Sequence, residues 1–141
     1  MVRGAKILTK TLYIIYIGMV LFLCLYKFSS TGIDLGKYFL GIRLDRYVHF
    51  LMFLPYPPVT WLTFRFSSRF RFLSRYAIAL TLVSGLIFAG MTELLQSWLT
   101  PTRQGDILDF AADSAAIISG TAAVAFAGQP FVRLIDTLFK K

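Results

Sequence analysis

At 141 residues the chain suits one compact unit and leaves no room for a second domain. With 57% hydrophobic residues, a mean hydropathy of +0.67 and 16% charged residues, it is not an ordinary soluble domain, where about 25% are charged. The net charge of +8 does not point to nucleic acid. The basic run from Arg65 to Arg75, interleaved with Phe64, Phe66, Phe70 and Phe72, reads as cytoplasmic loop charge with interfacial aromatics, and no nucleic-acid partner is expected.

The apolar residues come in long blocks, which predicts an all-α bundle of four transmembrane helices at about 8–26, 47–66, 76–98 and 107–126. The first block follows Arg3, Lys6 and Lys10, and no small-residue cleavage site succeeds it, so it reads as an uncleaved anchor. Cys24, the single cysteine, has no disulfide or metal partner in sequence and reads as a packed membrane thiol.

The second block opens with Asp45, Arg46 and His49 and carries Pro55, Pro57 and Pro58 in its middle. Each proline removes a backbone donor, freeing the carbonyls of Leu51, Phe53 and Leu54. This span is expected to break, with the freed carbonyls facing protein or a cavity.

The third block places Gly85 and Ala89 four apart, then Glu93 and Gln96 near its end. Glu93 continues that small-residue face. The loop and the start of the fourth block supply Arg103, Asp106, Asp109 and Asp113. Two small-residue ridges follow, Ala112-Ala116-Gly120 and Ala115-Ser119-Ala123-Ala127. Such faces let helices approach closely in lipid, so the third and fourth spans are expected to form a tight hairpin. After Pro130, the spacing of Phe131, Leu134, Ile135 and Leu138 predicts a short C-terminal helix on the membrane interface.

Ten lysines and arginines fall in the termini and the second–third loop, against five in the other two loops. That bias predicts both termini in the cytoplasm. Five of the seven acids, Asp45, Glu93, Asp106, Asp109 and Asp113, then gather at the outer face. At 1.5 Å per residue Glu93 lies about 7 Å below Trp98, and Asp113 about 10 Å below Asp106. Acids within a membrane are costly unless paired, and Arg46, Arg103 and His49 are the natural partners. Such a network can fix helix packing, bind a ligand, act as general acid and base through His49, or hold an ion. No spacing is diagnostic of a metal or cofactor, none is expected, and no nucleophile or phosphate-loop motif marks an enzyme.

Asp45-Arg46-Tyr47-Val48-His49-Phe50, Glu93-Leu94-Leu95-Gln96 and Arg103-Gln104-Gly105-Asp106-Ile107-Leu108-Asp109 together resemble, in order and spacing, the VanZ-like family of small bacterial membrane proteins. The likeness runs over roughly residues 45–128. It departs from the family at Asp113, where an Asn is usual, and at the central Pro-Tyr-Pro-Pro. The resemblance implies a bacterial plasma-membrane protein of the cell envelope, linked to low-level resistance to teicoplanin. Its partners would be membrane lipids and a lipoglycopeptide or lipid-linked cell-wall intermediate, met by the outward acids while the broken span lines an apolar slot. An enzyme acting on such a substrate, and a small transporter or assembly partner, are the alternatives.

Overall fold

A computed structural model describes residues 3–26, 36–66, 72, 75–99 and 106–138. The described chain is helical apart from one small hairpin. In order it forms α1 (Arg3–Leu25), β1 (Tyr38–Phe39), β2 (Ile42–Arg43), α2 (Leu44–Phe53), α3 (Tyr56–Arg65), α4 (Ala77–Leu99) and α5 (Ile107–Leu138). Among the described residues, three helices are long and apolar enough to cross a membrane, over Ile7–Leu25, Ala77–Leu99 and Ile107–Arg133.

The molecule is apolar outside. Ile14, Phe22, Ile87, Leu94 and Phe126 are all exposed, Phe126 by 85%. Water would penalise that much exposed apolar surface, whereas lipid accepts it. The interior holds Asp45, His49, Thr60, Thr81, Thr92, Gln96, Asp109 and Asp113 beside a modest apolar core.

α5 is the central element, packed along α2, α3 and α4, while α1 lies against α3 and α4. Its buried side is Asp109, Asp113, Ala116, Ile117, Gly120, Thr121, Val124 and Gly128, spaced by three and four residues as one helix face requires. Of the two ridges expected on this helix, Ala116 and Gly120 are packed inside, but Ala115, Ser119, Ala123 and Ala127 are exposed. At about 100° per residue, a ridge two residues behind the Ile117 face points to the opposite side.

Glycines set the closest approaches. A Cβ on Gly85 would sit 2.8 Å from Ile117 Cγ2, and one on Gly128 2.9 Å from the Trp61 ring. On Gly120 it would lie 2.8 Å from Pro57 Cγ and 3.1 Å from the Leu54 carbonyl oxygen.

The proline cluster divides the expected second span into α2 and α3. Pro57 falls in the first turn of α3 and Pro55 at its N-cap, positions whose amides have no intrahelical acceptor in any helix. Leu54 (φ −59°, ψ −37°) and Pro55 (φ −74°, ψ −12°) both stay right-handed, so the chain keeps advancing through the break. Neighbours meet the exposed backbone there. The Tyr16 hydroxyl of α1 donates to the Met52 carbonyl at 2.6 Å, and the Leu54 carbonyl lies against Gly120 of α5. Tyr56 stacks on Phe88 at 5.7 Å between ring centroids and donates to Ser84 Oγ.

The separate C-terminal helix expected after Pro130 is not formed: α5 continues through Pro130 to Leu138. Proline costs a helix one hydrogen bond and a kink, and neighbouring groups can compensate that loss. At 32 residues α5 is about 48 Å long, well over the ~30 Å of a hydrocarbon core.

The hairpin Tyr38–Arg43 has no counterpart among the expected elements. Tyr38 pairs with Arg43 and Phe39 with Ile42. Positive φ at Leu40 (49°) and Gly41 (77°) gives the two-residue turn that suits strand twist. Tyr47 donates to the Phe39 carbonyl, tying the hairpin to α2 and setting Arg43 at the mouth of the polar cluster.

Candidate functional site

α2, α4 and α5 bring their polar residues together at one end of the bundle, in two tiers. The outer tier is ion-paired. Arg43 contacts Asp45 directly and reaches Asp106 Oδ2 at 3.5 Å. Arg46 lies 3.3 Å from the same oxygen and 3.7 Å from Asp109 Oδ1. Asp45 is 1% exposed; its other oxygen accepts the Arg46 amide at 2.9 Å, so the buried charge is matched on both sides.

Asp106 is also the N-cap of α5. Its Oδ1 accepts the Leu108 amide at 2.9 Å, satisfying one of the orphan donors of the first turn. Its own amide donates to Glu93 Oε2 of α4 at 3.1 Å. The Leu108 amide, with Arg46 and Arg43 beside it, holds the Asp106 carboxyl below its ordinary pKa.

The inner tier is His49, Glu93, Asp109 and Asp113. Asp113 is fully buried and His49 3% exposed. The imidazole Nδ1 is 3.1 Å from Asp113 Oδ1 and 3.3 Å from Oδ2, and 3.9 Å from Glu93 Oε1. A ring nitrogen of His49 and one carboxylate oxygen each from Glu93 and Asp109 lie within 4.8 Å of one another. Glu93 Oε1 and Asp109 Oδ1 are buried with no hydrogen-bond partner among the described residues.

Of the nine residues singled out in the sequence, seven meet here: Asp45, Arg46, His49, Glu93, Asp106, Asp109 and Asp113. Gln96 does not. It faces α1, where Nε2 donates to the Cys24 carbonyl at 2.9 Å, a helix-to-helix tie. Arg103 lies outside the described residues. Glu93 sits at the margin of its helix's packed face, which Thr92 continues instead. Arg43, counted in sequence only as loop charge, belongs to the site. The signal for it was its position two residues before a buried aspartate, but only the hairpin turns it inward.

Among the described residues, two grooves lie beside α5. One, of about 680 Å³, runs between α4 and α5 and is lined by Leu86, Ile87, Met91 and Phe110, with Glu93 and Asp106 at its polar end. The other, of about 440 Å³, is apolar and lies beside the proline break, against Leu54, Pro58, Trp61 and Phe131. Acids and apolar slot were expected in one pocket; the nearest α5 linings of these two grooves, Phe110 and Gly120, are ten residues or about 15 Å apart along its axis. The prolines sit one and a half turns or more beyond His49 on α2, away from the carboxylates.

Comparison with family models, with curated proteins and with solved structures finds no match to this chain.

Proposed function

We propose that this is a VanZ-like integral membrane protein of the bacterial cell envelope that engages an amphiphile at an outward-facing acidic groove. In this reading α1, the broken α2–α3 pair, α4 and α5 make four spans, with both termini in the cytoplasm. The 22 residues from Leu44 to Arg65 cover about 33 Å, one membrane thickness. The lysine and arginine bias of ten to five supports that orientation.

The observation that carries the proposal is the composition of the α4–α5 groove. Apolar walls of Leu86, Ile87, Met91 and Phe110 lead to Glu93 and Asp106, so one ligand can place a tail against the walls and a polar head against the acids. Carboxylates favour a cationic head, such as an amine of a lipoglycopeptide or of a lipid-linked wall intermediate. The exposed Tyr38, Phe39 and Leu40 of the hairpin suit the interfacial layer beside the groove mouth.

The test is teicoplanin susceptibility in a sensitive Gram-positive host, with vancomycin as comparison and membrane abundance matched. Wild type is expected to protect against teicoplanin selectively, and Glu93→Gln to abolish protection. Protection that persists in Glu93→Gln would remove the groove from the antibiotic role.

A second reading, an enzyme acting on a lipid-linked substrate, draws on one contact. Asp113 holds His49 through Nδ1, as a carboxylate orients a general base. Turnover of a lipid-linked substrate by reconstituted wild type, lost in His49→Gln, would favour it.

A further inference from the structure

We propose that His49, Glu93 and Asp109 form a binding site for one divalent transition cation of the zinc or manganese type. The three residues come from three different helices, α2, α4 and α5, and offer one nitrogen and two oxygens within 4.8 Å of one another. Ligand atoms around a zinc ion at about 2.0–2.2 Å stand roughly 3.5 Å apart when tetrahedral, so side-chain rotations of about an ångström complete the set. Imidazole suits zinc and other transition ions and carboxylates suit manganese, which makes a mixed set selective against a purely oxygen-seeking ion.

Burial supplies the second, independent observation. Asp109 is 6% exposed, and its Oδ1 and Glu93 Oε1 are buried without a hydrogen-bond partner among the described residues. Among the described residues, Arg46 Nε lies 3.7 Å from Asp109 Oδ1 and is also without a hydrogen bond. Helix packing alone does not account for two carboxylate oxygens left unsatisfied at this depth, since each such group carries a desolvation cost. An ion bridging them removes both deficits. Asp113 accepts from the imidazole Nδ1, so ligation would fall to Nε2, the arrangement in which metal-bound histidines receive a carboxylate's support. Glu93 also lines the α4–α5 groove, so the ion would sit against the groove wall.

This site shares Glu93 with the proposed amphiphile groove and is tested without any lipid ligand. The full chain is purified in detergent, stripped with EDTA and titrated with Mn²⁺ by electron paramagnetic resonance, and with Zn²⁺ by elemental analysis after desalting. Glu93→Gln, Asp109→Asn and, as a buried control on α4, Thr81→Val are compared at equal helical content. Wild type and Thr81→Val are expected to hold one ion per chain, and the two carboxylate variants to bind at least tenfold more weakly. As a measurement free of variants, the unfolding midpoint of stripped wild type is expected to rise when Mn²⁺ or Zn²⁺ is restored. Less than one ion per chain, equal affinity in folded carboxylate variants, or an unmoved midpoint would each overturn the site.

Discussion

Asp106 shows how much one side chain can do at a helix start. It caps α5 through the Leu108 amide, receives Arg43 and Arg46, and gives its amide to Glu93. Its carboxyl pKa lies below the ordinary value, first because of the Leu108 bond and then because of the arginines. A depressed carboxyl adds stability above its unfolded pKa of about 3.9 and loses it as pH falls through the lower folded value. The stability gap between wild type and Asp106→Asn should therefore stay level from pH 8 to 5 and close below about pH 4. Asp106→Ala, which also removes the cap, should cost about 1 kcal/mol more than Asn. Thermal unfolding in detergent across pH checks both; a gap that opens toward acid would contradict the assignment.

Among the site residues, the acids were legible as a group because charge bias and span depth place them at one membrane face. Asp109, Asp113 and their expected partner His49 fall at that face, and the structure sets His49 within reach of both. Arg43, counted as loop charge, and Gln96, grouped with the acids, take directions that depend on contacts distant in sequence. A hairpin carries Arg43 inward, and the end of α1 takes Gln96.

At the scale of elements, α5 organises the bundle through small residues set against bulky ones. Gly120 faces the Pro57 ring and the Leu54 carbonyl, neither of which can rotate away. Gly120→Ala should therefore destabilise by about 1–3 kcal/mol, as overpacking does, whereas Ala123→Ser, on the exposed side, should change little. Unfolding midpoints of the two variants check this, and an unshifted Gly120→Ala would show that the crossing is looser than described.

The apolar blocks were legible as helices because their length and composition leave few other structures in lipid. Their ends were less so. Pro130 reads as a stop in sequence, yet α5 continues beyond it, because one lost hydrogen bond does not outweigh a helix held along its length. The hairpin at Tyr38–Arg43 was hidden because two-residue strands carry too little alternation to show a period.

For the whole molecule, the inverted distribution of polarity is the main result: apolar side chains outside, carboxylates, imidazole and threonines inside. The proposed orientation puts the two ends of α4 on opposite sides of the membrane. In a Cys24→Ser background, Ser97→Cys should react with an impermeant maleimide in intact cells, and Tyr76→Cys only after lysis; both positions are exposed. The opposite pattern would invert the topology and turn the acidic groove toward the cytoplasm.

The most direct test of the central claim is photocrosslinking from inside the groove. A photoreactive residue replaces Met91, which lines the α4–α5 groove beside Glu93, or Ile118, which is exposed on α5 and outside that lining. Adducts formed in native membranes are then weighed by mass spectrometry. The account predicts a distinct amine-bearing amphiphile at Met91, missing at Ile118 and lost on adding Glu93→Gln. The same bulk-lipid adducts at both positions, unaffected by Glu93→Gln, would contradict it.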